Sequence, residues 1–122
     1  MKAFEIIQAL VDNLDDYKQI SFILPEFYSE NGGDISWTLD EITTERQDAV
    51  YHTAIMTTKG YIVIYLRDRT QVKEAVENII NTVTPETYGD TGAVVCDLAR
   101  IQVVNVQNCV AVIATIRIIE EN

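Results

Sequence analysis

The C-terminal segment constrains this chain more than any other part of it. Residues 110–119 read VAVIATIRII, so apolar side chains occupy both sets of alternating positions, interrupted only by Thr115 and Arg117. A strand that is apolar on nearly both faces must be covered on both sides or lie centrally in a sheet. The apolar stretch 93–106 precedes it, with Gln107-Asn108 between the two. The sequence therefore predicts a sheet whose last two strands in the chain are neighbours.

Two amphipathic helices are predicted from apolar residues at i, i+3 and i+4 spacing. The first helix should end near Asp15-Asp16, where carboxylates are unfavourable at a helix C-terminus. Its apolar stripe consists of Phe4, Ile7, Leu10, Val11 and Leu14. The second helix opens with a capping-box pattern, Asp68 and Gln71, with Thr70 as a competing N-cap, and is closed by Pro85. Its stripe consists of Val72, Ala75, Val76, Ile79, Ile80 and Val83.

The remaining segments read as strands. Residues 19–24 alternate and stop at Pro25, and residues 35–39 alternate after the turn signal Asn31-Gly32-Gly33-Asp34. For 49–66 we favour a hairpin turning at Lys59-Gly60; one long strand with a glycine bulge is the alternative. The order α-β-(β)-β-β-α-β-β predicts one α+β domain spanning 1–122. Its sheet should be antiparallel or mixed, with about five to six strands and two helices packed on one face.

The segment 26–48 is the least core-like part of the chain. It holds seven acids and one base, a net charge of −6 out of −10 for the whole chain. We interpret it as an extended acidic arm or hairpin that lines an interface or a pore and orders on assembly. An ordinary long hairpin with a solvated acidic face is the alternative. The candidate contact residues are Glu26, Glu30, Asp34, Trp37, Asp40, Glu41, Glu45 and Asp48.

Composition excludes several partners. A net charge of −10 is opposite to what binding to nucleic-acid phosphates or to an anionic membrane surface requires. No apolar stretch of about 20 residues is present, and the N-terminus lacks the features of a secretory signal. We therefore expect a cytoplasmic protein that contacts neither DNA bases nor membrane. Cys96 and Cys109 lie in apolar runs, as reduced and buried cysteines do.

The sequence offers no constellation for catalysis, so we predict no enzyme, no catalytic residue, no metal and no cofactor. His52 reads as a strand residue without a nucleophile motif near it. The carboxylates Asp12, Asp15 and Asp16 read as a hydrated helix end, with weak divalent binding as the alternative. Asp40 and Glu41 are adjacent in a strand and should point to opposite faces, so they should not converge.

The layout resembles the tail-terminator proteins of long-tailed bacteriophages, also called minor tail or tail-completion proteins. The resemblance covers nearly the whole chain and rests on element order, size and acidity. It follows an opening helix (FEIIQALVDNL), a strand with a proline-aromatic end (ISFILPEFY), an acidic region, a long β segment (AVYHTAIMTTKGYIVIYL), a second helix (TQVKEAVENIINTV) and two closing strands.

The resemblance implies a structural protein of the virion that assembles in the host cytoplasm. Such proteins form a ring, typically a hexamer, at the head-proximal end of the tail tube. The ring stops tube polymerisation and provides the surface that joins the head, so its partners are further copies of itself, the tail-tube protein and a head-completion protein. DNA passes through without being bound, and carboxylates near its path would repel phosphates. Because like charges in a ring oppose closure, salt or divalent cations should favour assembly.

Two other function classes remain open. A small acidic inhibitor could mimic nucleic acid and block a host factor, which net charge and size also suit. Oligomeric state and capture of a basic partner distinguish it from a ring protein. A small enzyme whose site is assembled from unremarkable residues is the third class, and a deep polar pocket would favour it.

Overall fold

The computed structural model describes residues 2–20, 33–48, 53–83, 94–106 and 109–121. Helix α1 spans Lys2–Asn13 and helix α2 spans Val72–Thr82, the latter preceded by a 3-10 turn at Arg69–Gln71. The strands are β1 (Lys18–Gln19), β2 (Asp34–Asp48), β3 (Thr53–Leu66), β4 (Val94–Val106) and β5 (Cys109–Glu121). The α+β class is thereby confirmed.

The five strands form one mixed sheet in the order β1-β2-β3-β5-β4. Only the two-residue strand β1 runs parallel to its neighbour, and the other three pairs are antiparallel. Strand β5 lies between β3 and β4, so the C-terminal segment is internal to the sheet, as its apolar pattern predicted. Strand β4 forms one lateral edge. At the other edge β1 pairs only with Asp34 and Ile35, so Ser36–Asp48 of β2 has no outer neighbour among the described residues.

Both helices pack on one face of the sheet, which we call the helix face. The predicted stripes supply Ile7, Leu10 and Val11 from α1, Leu14 directly after it, and Ala75 and Ile79 from α2, all buried. Two stripe members differ from the prediction, because Phe4 is 46% exposed and Ile80 is 50% exposed. The sheet side of this core is formed by residues from four strands: Ile35, Ile62, Ile64, Leu66, Val94, Cys96, Val112, Ala114, Ile116 and Ile118.

The predicted hairpin at Lys59-Gly60 is wrong, because β3 runs through both residues as one strand. Lys59 pairs with Glu41 and Arg117, and Gly60 pairs with Leu39 and Ile116. A glycine is needed here for close packing. A Cβ at Gly60 would lie 2.9 Å from the Thr38 carbonyl oxygen and 3.0 Å from Ile7 Cδ1 of α1. The long-strand alternative is the correct one, but the bulge lies in β2, between Leu39 and Glu41.

The start of α2 follows the predicted capping box. The Asp68 carboxylate accepts a 2.9 Å hydrogen bond from the Thr70 backbone N–H, and Gln71 Oε1 accepts from the backbone N–H groups of Arg67 and Asp68 at 3.0 and 3.4 Å. The Thr70 hydroxyl also donates to Asp68 Oδ1, and this bond, followed by the one from the Thr70 backbone N–H, lowers the pKa of Asp68 below its ordinary value.

Several sequence predictions fall on residues outside the described ranges. These are residues 21–24 of the predicted first strand, the turn at Asn31-Gly32, His52, the stop at Pro25, the stop at Pro85 and the turn at Gln107-Asn108. Within the described part, the first predicted strand is represented by Lys18–Gln19.

Candidate functional site

The face of the sheet opposite the helices, here called the second face, has a small apolar centre. Val63 and Tyr65 of β3 lie beside Cys109 and Ala111 of β5, all buried. Tyr61 and Ile113 extend this centre, and Ile20 is the only described residue from outside the sheet that packs on it. A cavity of about 580 Å³ lies over the same region. Its lining includes Tyr61, Val63 and Ile113 with Thr38, Lys59 and Arg100 around them.

A β-bulge brings Asp40 and Glu41 to one side of the sheet. Leu39 pairs with Gly60 and Glu41 with Lys59, so Asp40 is an extra residue without a partner in the ladder. Glu41 is therefore opposite Lys59 on the second face. Asp40 reaches the same face, because its Oδ2 accepts a 3.2 Å hydrogen bond from the Tyr61 hydroxyl and lies 3.6 Å from Lys59 Nζ. The prediction that these two carboxylates point apart is wrong, since simple alternation is interrupted at the bulge.

Lys59 is the centre of this group. Its ammonium lies 3.6 Å from the Asp40 carboxylate and 5.8 Å from the centroid of the Tyr61 ring, so it makes both an ion pair and a cation–π contact. Both partners of the ion pair are more than 40% exposed, which keeps its contribution to stability small. The cluster of Asp40, Glu41 and Lys59 carries a net charge of −1, two acids against one base.

A second charged group lies at the opposite edge, on β4. Strand β4 also has a bulge, because Leu98 pairs with Ile116 and Arg100 with Thr115, which leaves Ala99 unpaired. Arg117 Nη2 of β5 donates to Asp97 Oδ2 at 2.6 Å. Arg100 is exposed, and no ion pair is recorded for it among the described residues. This group of Asp97, Arg100 and Arg117 has a net charge of +1.

The other candidate residues are placed differently. Asp34 is only 3% exposed, at the start of β2. Trp37 is half-buried on the helix face, where its indole Nε1–H donates to Gln8 Oε1 at 2.9 Å and its ring contacts Phe4 edge-on at a centroid distance of 5.9 Å. Both residues thus have packing partners inside the fold. The backbone of Glu45 and Asp48 is part of strand β2. Glu26 and Glu30 lie outside the described residues.

Gln8 also begins a polar network at the end of α1. Gln8 Nε2 donates to Asp12 Oδ1 at 2.9 Å and to Gln19 Oε1 at 3.1 Å, and Gln19 Nε2 donates to the same Asp12 oxygen at 2.8 Å. The hydrogen bond from Gln19 is the main reason that the pKa of Asp12 lies below its ordinary value, followed by that from Gln8. A cavity of about 430 Å³ adjoins Gln8, Gln19 and Trp37. Asp12 is thus engaged by amide groups from two elements.

Three titratable groups of the sheet, Cys96, Cys109 and Tyr65, are shielded from water. Burial raises the pKa of the Cys96 thiol to about 11, and it raises the pKa of Tyr65 to about 12. Cys96 and Cys109 are both buried and free, and a raised thiol pKa makes a weak nucleophile. In the described ranges, no three His, Cys, Asp or Glu residues are grouped as metal ligands. The described part of the second face thus combines an apolar centre with charged groups at two edges.

Sequence reasoning did not single out Lys59, Tyr61 or Arg100. The sequence predicts Lys59 in a turn and the other two residues in ordinary strands. The signal that could have drawn attention to Arg100 is its position as the only base within 93–106, where the other polar residues are Asp97, Gln102 and Asn105.

Comparison of the chain with models of known protein families finds no family that matches, and comparison with curated protein sequences finds no match. Neither α1 nor α2, the helices in the described part of the chain, is long and apolar enough to cross a membrane.

Proposed function

We propose that this chain is a structural protein of the tail-terminator type, which assembles into a ring on the end of a phage tail tube. In this role it stops polymerisation of the tube and presents a surface to the head. It has no catalytic function, and its contacts are with copies of itself, with the tail-tube protein and with a head-completion protein.

One observation supports this proposal above the others. Most of the described part of the acidic segment is a fifteen-residue outer strand of the sheet, β2, which carries five acids and one base. Two of its carboxylates, Asp40 and Glu41, are exposed on this strand at the side of the domain, where a neighbouring molecule can meet them. The bulge at Asp40 adds to this by holding two carboxylates on one exposed face.

The composition of the domain suits a conduit for DNA. With nineteen acids and nine bases, the surface field repels phosphates, so that a duplex can pass without adhering. A ring of six copies would multiply the net charge of each chain. Binding DNA would require the opposite balance.

The proposal is tested by polymerising the tail-tube protein of the same phage with and without this chain. We expect tubes to stop growing when the chain is added in substoichiometric amounts, with a ring visible at one end by electron microscopy. An unrelated acidic protein of similar size and net charge serves as the control. Tubes of unchanged length, with no ring at their ends, would overturn the proposal.

The same preparations test the inhibitor alternative. If the chain leaves tube length unchanged, stays monomeric and instead binds a basic nucleic-acid-binding protein in competition with DNA, an acidic mimic describes it better.

A further inference from the structure

The sheet ends in two lateral edges that differ in charge and could meet each other in successive copies. One edge is β2 beyond Ile35, and the other is the whole of β4, thirteen residues long. Within the described ranges neither edge has an outer neighbour, and unpaired strand edges of this length are templates for pairing with another chain. A contact between two different surfaces of the same protein is the kind that closes into a ring.

We propose that copies of this chain join edge to edge, with β4 of one copy beside β2 of the next. This inference rests on the ring proposed above and assigns its subunit interface. The occupant of each edge is therefore a second copy of this chain.

Strand direction permits this continuation. Along the sheet, β2 and β5 run one way while β3 and β4 run the other. If copies are related by rotation about an axis roughly parallel to the strands, β4 meets the neighbouring β2 in antiparallel orientation. The alternation of the sheet is thus preserved across the contact, and the helices of every copy stay on the same side.

The charged groups at the two edges are complementary and lie at similar heights. Pairing across the sheet places Glu41, Lys59, Arg117 and Asp97 in one row, and Thr38, Tyr61, Thr115 and Arg100 in a row two steps away. The neighbour's Glu41, at one edge, would then lie within reach of Arg100 at the other, in the next row on the same face. Asp40 is already paired with Lys59, and Asp97, which shares the row of Glu41, is already paired with Arg117, so these two carboxylates bring compensated charges to the contact.

Exposed apolar side chains add to the complementarity. Val95 and Val103 of β4 are 46% and 45% exposed, and Ile42 of β2 is 45% exposed. By the same pairing, Val95 and Ile42 lie in neighbouring rows of the sheet on opposite faces, whereas Val103 lies level with Ile35, where β1 already covers the edge of β2. Val95 and Ile42 would each lose contact with water when the edges meet.

The test exchanges the charges at the two edges. Arg100→Glu and Glu41→Arg are each expected to weaken self-association by roughly tenfold in dissociation constant, since each replaces an attraction by a repulsion. The chain carrying both changes regains an opposite pair at every contact, so its association should return to within about twofold of the original. Light scattering after size exclusion, over a range of concentrations at one ionic strength, measures the effect.

Matched controls lie on α2. Lys73→Glu and Glu74→Arg change the net charge by the same amounts at exposed positions outside both edge strands, and they should leave association unaltered. The edge contact is overturned if the single edge variants assemble normally, or if the control variants are as impaired as the edge variants. It is also overturned if the double variant does not recover, or if the original chain is monomeric at every concentration. If the Arg100→Glu and Glu41→Arg chains assemble normally and still stop tube growth, the edge contact is overturned. The terminator proposal would stand in that case.

Discussion

The carboxylate of Glu120, in the last strand, accepts a 3.0 Å hydrogen bond from the backbone N–H of Ala3, in the first turn of α1. Both residues are buried. The N–H groups at a helix start have no partner within the helix, and the helix dipole favours a negative charge there. The final strand therefore holds the first helix against the sheet by a contact that links the two ends of the described chain.

Replacing Glu120 by Ala should destabilise the fold by about 2 kcal/mol, because a buried N–H loses its acceptor and a small void is left. Glu120→Gln keeps an acceptor oxygen but not the charge, so a smaller loss of about 1 kcal/mol is expected. Urea unfolding followed by circular dichroism measures both. The exposed Glu5→Gln on the same helix is the control, and equal effects for all three variants would contradict this role of Glu120.

Thr58 offers a stabilising substitution. Its side chain is fully buried on the helix face, and its hydroxyl has no hydrogen-bond partner among the described residues. Thr58→Val replaces this hydroxyl by a methyl group of similar shape, so the free energy of unfolding should rise by about 1 kcal/mol. The same change at the exposed Thr43 should have little effect. A lower stability for Thr58→Val in urea unfolding would show that the hydroxyl is satisfied in solution.

Gly60 should not accept a side chain. Gly60→Ala places a methyl group 2.9 Å from the Thr38 carbonyl oxygen, a backbone atom that cannot move without disturbing β2. We expect a loss of about 1–3 kcal/mol, the usual range for overpacking. Thermal unfolding compares this variant with Thr43→Ala, an exposed strand position. A Gly60→Ala protein as stable as the original would mean that the Thr38 carbonyl in β2 and Ile7 in α1 can both move away from β3 at little cost.

The fold should lose stability at alkaline pH. The pKa of Cys96 is raised from 9.0 to about 11, chiefly by burial and further by the charge of Asp97, and that of Tyr65 is raised from 10.0 to about 12, chiefly by burial. Both groups stay protonated in the folded chain at pH values where the unfolded chain ionises them. Stability is therefore unaffected by them below about pH 9, falls between pH 9 and 11 through Cys96, and falls further between pH 10 and 12 through Tyr65.

Urea midpoints measured from pH 7.5 to 11 check this expectation. Cys96→Ala should flatten the decline above pH 9, whereas Val112→Ala, which also removes buried apolar volume, should lower stability equally at every pH. Parallel declines in the two variants would contradict the contribution of Cys96.

The sequence predicts the elements whose pattern is local and continuous. The stripe of α2, the capping box at Asp68 and the apolar pattern of β5 each repeat over several turns or rungs, so they are recognisable without knowing their neighbours. The buried faces of the two helices could also be predicted, except at Phe4 and Ile80. These two residues belong to the apolar stripes but are exposed, because the stripes are wider than the surface they cover.

The remainder depends on contacts distant in sequence. Lys59-Gly60 is typical of a turn, and only the approach of Ile7 from α1 explains why a glycine lies inside a strand. The candidate site escaped prediction for a related reason. The bulges at Asp40 and Ala99 arise from pairing with β3 and β5, and no local pattern marks them.

The bulge at Asp40 also divides β2 into two halves of opposite phase. Before it the odd-numbered residues, such as Ile35 and Trp37, face the helices; after it the even-numbered Ile42 does so. A chain lacking Asp40 would keep every other residue of 35–44 on its present side, because the two halves would then join in one continuous alternation. Loss of Leu39 or Glu41 would have nearly the same result, since Asp40 could take the vacated place in the ladder. A single loss is therefore tolerable at or beside the bulge, whereas a loss farther away would turn over every residue between it and the bulge.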